Sequence, residues 1–126
     1  MAKIIYTKNA PEPIGPYSQA ILAGNTLYCS GQIPIDPVSN EIVGANVTEQ
    51  AERSIQNVAA VLAAAGMGFE NVVKATCYLK SMDDFAAFNA VFEKYFISTP
   101  ARAAIEAARL PKDVLVEVDV IAVVEE

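Results

Sequence analysis

The sequence predicts a two-layer α+β domain, a six-stranded mixed sheet with two helices on one face. Three observations lead there. Apolar residues recur at helical spacing in two windows, one ending near Ala65 and one spanning Phe85 to Tyr95. Runs rich in β-branched and aromatic residues fall around them, giving the order β-β-β-α-β-α-β-β. Each helix carries a single apolar stripe, so the two together can cover only one side of a sheet.

The elements follow in order. Lys3–Tyr6 reads as a short strand. Residues 9–16 hold three prolines and a glycine, and proline fixes φ and removes donors, so an ordered loop is expected. Ser18–Ala23 and Thr26–Ser30 are extended segments joined by Gly24-Asn25, a hairpin signal. Gly31 to Gly44 is loop. Thr48 is expected to cap a helix running to about Ala65, with Ala51, Ile55, Val58, Leu62 and Ala65 on its apolar face and Gly66 as its stop. Val72–Leu79 is a strand. Ser81 is expected to open the second helix, with Asp84 at the capping-box position and Phe85, Phe88, Phe92 and Tyr95 on its face. Ala101–Ala107 and Val114–Val124 complete the set.

Length and composition bound the function. A chain of 126 residues, 53% hydrophobic with a net charge of −6, is expected to be a single domain over 1–126 with a core of its own. Its longest apolar run, Val58–Ala65, is far short of the ~18 residues that suggest a membrane span. The lack of histidine removes the Ser-His-Asp triad, the Cys-His pair and every imidazole base. Cys29 and Cys77 stand alone and far apart, so no metal site is expected. An acidic pI near 4.6 speaks against nucleic acid as a partner. No apolar signal segment opens the chain, and two unpatterned cysteines read as reduced thiols in a cytoplasmic protein.

Side chains alternate along a strand. In the last strand Val114, Val116, Val118, Val120, Ala122 and Val124 share the side expected under the helices. The other side reads Leu115, Glu117, Asp119, Ile121, Val123, which mixes large aliphatics with two acids. In the middle strand Val73, Ala75, Cys77 and Leu79 are expected to form the apolar side. A half-apolar, half-charged sheet face is expected to pack against further copies of the chain, with a polar site inside that interface.

Few residues could carry chemistry there. Arg102 offers a planar fork that matches a carboxylate, although pairing with Glu106 or Glu117 is the commoner use of such a residue. Glu117, flanked by valines, could hold or deprotonate a water, and Asp119 could play either part. Ser30-Gly31-Gln32 ends a strand where glycine permits close approach to the backbone. Tyr17 sits on the proline-stiffened loop, where a phenol can cover a pocket. The phenylalanine stripe reads as core and Lys112-Asp113 as a solvated turn. On spacing alone the last two strands could form a hairpin with Arg102 near Asp119, or be separated by another strand.

Taken together, the segments Ile14-Gly15-Pro16-Tyr17-Ser18-Gln19-Ala20, Ser30-Gly31-Gln32-Ile33-Pro34, Val73 to Leu79, Asp84 to Asn89, Pro100-Ala101-Arg102, Leu110-Pro111-Lys112-Asp113 and Val116-Glu117-Val118 resemble the RidA/YjgF/YER057c/UK114 family, closest to its RidA branch. That resemblance implies a chorismate-mutase-like fold and a homotrimer with clefts between subunits. It implies hydrolytic deamination of 2-iminobutanoate and 2-iminopropanoate to 2-oxo acids and ammonia, downstream of pyridoxal-phosphate dehydratases, with no cofactor. By position Arg102 matches the arginine that grips the substrate carboxylate and Glu117 the acid that positions water. Tyr17, Ser30, Gly31 and Asn89 match pocket residues. The family topology separates the last two strands and brings Arg102 of one subunit toward Glu117 of its neighbour. Two departures stand out: Ala104 replaces a cysteine common in RidA-type members, and the segment 97–99 is shorter than usual. Other activities implied by the resemblance are non-enzymatic 2-oxo-acid binding by a regulatory trimer, and a translation-inhibiting ribonuclease or holdase chaperone.

Overall fold

A computed structural model describes residues 2–124. The strands are β1 (Lys3–Ile5), β2 (Ala20–Ala23), β3 (Thr26–Cys29), β4 (Val72–Leu79), β5 (Ala101–Glu106) and β6 (Val116–Val123). The helices are α1 (Val47–Ala64) and α2 (Phe85–Tyr95). One sheet runs in the order β1-β2-β3-β6-β4-β5. Only β4 and β5 are parallel, and α2 makes the crossover between them. The expected two-layer α+β architecture is present, and β4 lies between β5 and β6, so the last two strands are not a hairpin.

The core sits between the helices and one sheet face. Ile55, Val58 and Leu62 of α1 and Phe88 and Phe92 of α2 pack on Leu79, Val116, Val118 and Val120, all nearly inaccessible to solvent. The β2–β3 turn is made by Gly24 and Asn25, and the glycine takes the left-handed φ of +63° that such a turn demands. No helix among the described residues is long and apolar enough to cross a membrane.

Several boundaries differ from expectation for identifiable reasons. Asn46, not Thr48, caps α1: its Oδ1 accepts from Glu49 N at 2.9 Å while Glu49 Oε1 accepts from Ala45 N at 2.7 Å. That reciprocal pair satisfies two donors, and Thr48 has no acid three residues on to match it. Ser81 caps only a single 3-10 turn, Met82–Asp84, by accepting from Asp83 N at 3.1 Å, and α2 starts at Phe85 with no capping bond from Asp84. A bulge between Val72 and Lys74 buries Val72 and exposes Val73, so Val73 leaves the expected apolar side. β6 starts at Val116, and Val114 packs instead with Ile33, Ile35 and Leu110 in a second, smaller cluster. Val124 is also exposed.

Two buried amides tie loops to this frame. Gln19, 2% exposed, accepts from Thr7 N at 2.8 Å and donates to the carbonyls of Thr7 and Pro11 at 3.0 and 2.9 Å. Asn57 of α1, wholly buried, donates to the carbonyls of Ile33 and Ile35 at 3.1 and 2.9 Å and accepts from Arg53 at 2.8 Å. A buried carbonyl without a donor costs about 1–3 kcal/mol. Replacing Asn57 by Leu strips the Ile35 carbonyl of its donor and leaves the Ile33 carbonyl only the Ile35 N–H, so urea unfolding of N57L is expected to show a loss of about 1–3 kcal/mol with an unchanged m-value.

Candidate active site

The candidate residues fall into two groups on opposite faces of the sheet. Arg102 pairs in register with Ala75, whose side chain is buried beneath the helices, so Arg102 points into the helix layer. Its Nη1 donates to Oδ1 of Asn89 at 2.6 Å. The guanidinium carbon lies 4.8 Å from the ring centre of Phe92 and 5.4 Å from that of Phe85. A cation over two aromatic faces and one amide is fixed in direction without being neutralised. Neither Glu106 nor Glu117 of the same chain pairs with it: Glu106 accepts from Met82 N at 2.9 Å, and Glu117 is on the other face. The guanidinium borders an open concavity whose walls include Asn89, Phe92, Ile97, Thr99 and Pro100. The short 97–99 segment thus forms part of the rim beside Arg102. It is held there by Ser98, whose hydroxyl lies 3.2 Å from both the Phe69 and Val72 carbonyls. Ala104 shares the face of Arg102, next to Cys77. Burial pushes the Cys77 thiol up to about 12, so it stays uncharged at neutral pH.

Glu117 lies on the bare face of β6, opposite Tyr78 of β4. Its carboxylate rests on the backbone of Gly31: a Cβ built there would come within 2.8 Å of Glu117 Cδ, and nearer still to Oε2. Only glycine leaves that space. The pocket around it is lined by Ile14, Tyr17, Ser30, Gly31, Ile33 and Pro111. Burial, and then the charge of Asp119, holds the Glu117 carboxyl above its ordinary range. Asp119 is likewise raised by burial, opposed by hydrogen bonds from Tyr78 and Thr76. The Tyr78 hydroxyl donates to Asp119 Oδ2 at 3.0 Å.

The pocket residues expected from the sequence take different roles. Tyr17 is half-exposed, and its phenol oxygen accepts from Ile14 N at 3.2 Å, bracing the loop that forms the pocket mouth. The Ser30 hydroxyl donates to the Ser18 carbonyl at 2.6 Å and its N–H to the Gln19 carbonyl at 2.9 Å, so Ser30 shapes the wall. The Gly31 N–H meets no acceptor among the described residues. The structure therefore brings Tyr17, Ser30, Gly31 and Glu117 together, and Arg102 with Asn89, but leaves the two sets apart within one chain. Sequence reasoning missed the part played by Phe85 and Phe92, which serve both core and guanidinium, and by Pro111 in the pocket wall. The rings carry the helical spacing of ordinary core, so no sequence signal set them apart. Among the described residues no group of three His, Cys, Asp or Glu side chains is placed to hold a metal ion.

The family model described as Endoribonuclease L-PSP matches residues 7–124. A RutC family protein of Pyrococcus horikoshii is 54% identical over 123 residues, covering 97% of this chain and 98% of that protein. A Capra hircus protein named 2-iminobutanoate/2-iminopropanoate deaminase is 49% identical over 122 residues, covering 96% of this chain and 89% of its own. The crystal structure of E. coli TdcF with bound serine matches with a TM-score of 0.93 at 41% identity, over 98% of this chain and 99% of that one. The two groups of residues thus sit on a shared fold, and the chain belongs to the endoribonuclease L-PSP family, the RidA/YjgF family that its sequence resembles.

Proposed function

We propose that the protein hydrolyses reactive 2-imino acids, 2-iminobutanoate and 2-iminopropanoate, to 2-oxo acids and ammonia. The observation that carries this reading is the pre-set guanidinium of Arg102, held by Asn89 and two phenylalanine rings at the edge of an open concavity. Such a fork binds a carboxylate through two parallel hydrogen bonds. The 49% identity to the goat deaminase and the serine held by the E. coli relative agree with a small substrate carrying both carboxylate and nitrogen.

Because Arg102 and Glu117 lie on opposite faces, the reading requires that one copy lend its arginine to the pocket of the next. A homotrimer closed through the bare sheet face would do this three times. In that cleft Glu117, desolvated and therefore more basic than an exposed carboxylate, takes a proton from water as the water oxygen bonds to the imine carbon. The carbon–nitrogen π pair becomes a lone pair on nitrogen, giving a carbinolamine. Glu117 returns the proton to that nitrogen, the C–N bond breaks as ammonia leaves, and the carbinolamine hydroxyl gives its proton through Glu117 to the departing ammonia as the carbonyl forms. Water and imine are consumed, 2-oxo acid and ammonia are released, and nothing is oxidised. An iminium carbon is already electrophilic, so orientation and one proton carrier suffice, and the reading includes no cofactor. The imine would come from an elimination catalysed by a pyridoxal-phosphate dehydratase, in the cytoplasm, where free Cys29 and Cys77 stay reduced.

In the coupled test, a threonine dehydratase generates the imine and semicarbazide traps it. Adding the protein is expected to suppress semicarbazone formation; unchanged formation ends the deaminase reading. Arg102→Ala, losing a charge-assisted bidentate contact, is expected to lower kcat/KM by roughly 10²–10³-fold. Glu117→Gln is expected to keep 2-oxobutanoate binding by calorimetry while kcat falls by roughly 10²–10⁴-fold. Oxo-acid binding by a wild type that hydrolyses no imine would point instead to a binding and regulatory trimer. Gly31→Ala should displace the Glu117 carboxylate and lower kcat, while thermal unfolding shows a folded protein. The ribonuclease reading carried by the family model's description has a net charge of −6 against it, and only steeply salt-dependent RNA binding would favour it.

A further inference from the structure

The bare face of the sheet holds a second acid for which the hydrolytic scheme has no use. Asp119 stands two residues from Glu117 on β6, and alternation puts both on the same face. Both are half-buried at the centre of the sheet. Yet only one of them is tethered. Tyr78 lies directly across from Glu117 in register, but its hydroxyl reaches diagonally and donates to Asp119 Oδ2 at 3.0 Å. Thr76, directly across from Asp119, also helps hold its carboxyl down. Glu117 receives no hydrogen bond from any described residue and leans on the Gly31 backbone. The cross-strand partner that could have satisfied Glu117 is thus committed to its neighbour.

We propose that Asp119, anchored by Tyr78, is a positioning residue: a fixed negative charge that keeps the untethered Glu117 carboxylate basic enough to take a proton from water. This rests on the deaminase reading for its catalytic consequence but not for its electrostatic content. The Tyr78 hydrogen bond stops Asp119 rotating away and favours its ionised form against the burial that raises its carboxyl. Within one chain Glu117, with no such bond, feels burial and like charge without compensation; in the assembled cleft the neighbour's Arg102 opposes both, and the like charge of Asp119 offsets it. The other titratable and charged groups facing the pair are few. Lys74 of β4 lies toward Asp119 and favours its charge. Tyr28 of β3 is across from Ile121, and Tyr17 borders the Glu117 pocket. At the turn carrying Pro111, Asp113 is turned away to Arg109 at 2.9 Å. Cys29 and Cys77 are buried, with thiols pushed up to about 12, and contribute no charge. Arg102 of the same chain is on the opposite face.

The test uses the full chain as it assembles. Glutamate carboxyl carbons are labelled with 13C, the Glu117 signal is assigned by its loss in Glu117→Gln, and its titration is followed by NMR in wild type, Asp119→Asn and Tyr78→Phe. Asn keeps an acceptor for Tyr78 and removes only the charge. The Glu117 midpoint is expected to fall by about 0.5–1 pH unit in D119N, the size of one like charge at this separation in a half-buried site. In Y78F it should fall by less. In imine hydrolysis the acid limb of kcat/KM should move the same way, with the plateau lowered about two- to threefold as the base weakens. A Glu117 midpoint that stays put or rises in D119N overturns the proposal, whatever the activity does. If the midpoint falls but no variant, nor wild type, hydrolyses imines, the tuning stands and the deaminase reading fails.

Discussion

The alternation of side chains along a strand decides most of what this molecule can do. β5 and β6 flank β4, and the registers Ala75↔Arg102 and Tyr78↔Glu117 place the arginine in the helix layer and the glutamate on the bare face. No rotamer change brings them together, because a fully hydrogen-bonded sheet lies between. A one-residue shift in β6 would reverse the face of Glu117 but would also push its valine row out of the core. The apolar row Val116, Val118, Val120 and Ala122 therefore fixes the face of Glu117 as a by-product of fixing the core.

Around that frame, the two half-pockets are stiffened by different means. The Arg102 side uses aromatic packing: Phe92 stacks on Phe96 at 4.2 Å, and the same ring lies under the guanidinium. Core cohesion and cation placement are then one interaction. The Glu117 side uses hydrogen bonds. Gln19 gathers the backbone of residues 7–11, Asn57 gathers 33–35, and Gln32 pairs with Val118 beside Glu117. Loops carry the walls of this pocket, yet they are bound to buried amides of the scaffold, which keeps the Gly31 contact with Glu117 in place.

Much of this was legible in the sequence, and the failures share a cause. The strands, the two helices and the one-sided cover followed from period, because burial imposes period directly. The Thr48 and Ser81 caps were misplaced because several polar residues compete near each helix start. Reciprocity with Glu49 decided for Asn46 in one case, and a single 3-10 turn intervened in the other. Val73 was assigned to the wrong face because a bulge breaks the alternation it was read from. At the site, the candidate acids and the arginine could be named from residue type, and Gly31 from its place at a strand end. The phenylalanine bed beneath Arg102 could not be separated from ordinary core, since a ring under a guanidinium has the same helical spacing as a ring under leucine. The buried amides Gln19 and Asn57 were invisible because their partners are backbone carbonyls, which the sequence does not mark.

The strand order carries a consequence for biosynthesis. β6, the last of the six strands to be made, occupies the middle of the sheet between β3 and β4. Until it emerges from the ribosome, those two strands have no partner on their inner edges, and the apolar rows beneath both helices are open. The β1-β2-β3 meander and the β4-α2-β5 unit can each pair as they are made, but only β6 joins them into one sheet, so the complete core waits for that strand. During that wait the inner strand edges are exposed to other nascent chains, and a chain interrupted anywhere before Val116 would be a client for quality control instead of a partly working protein.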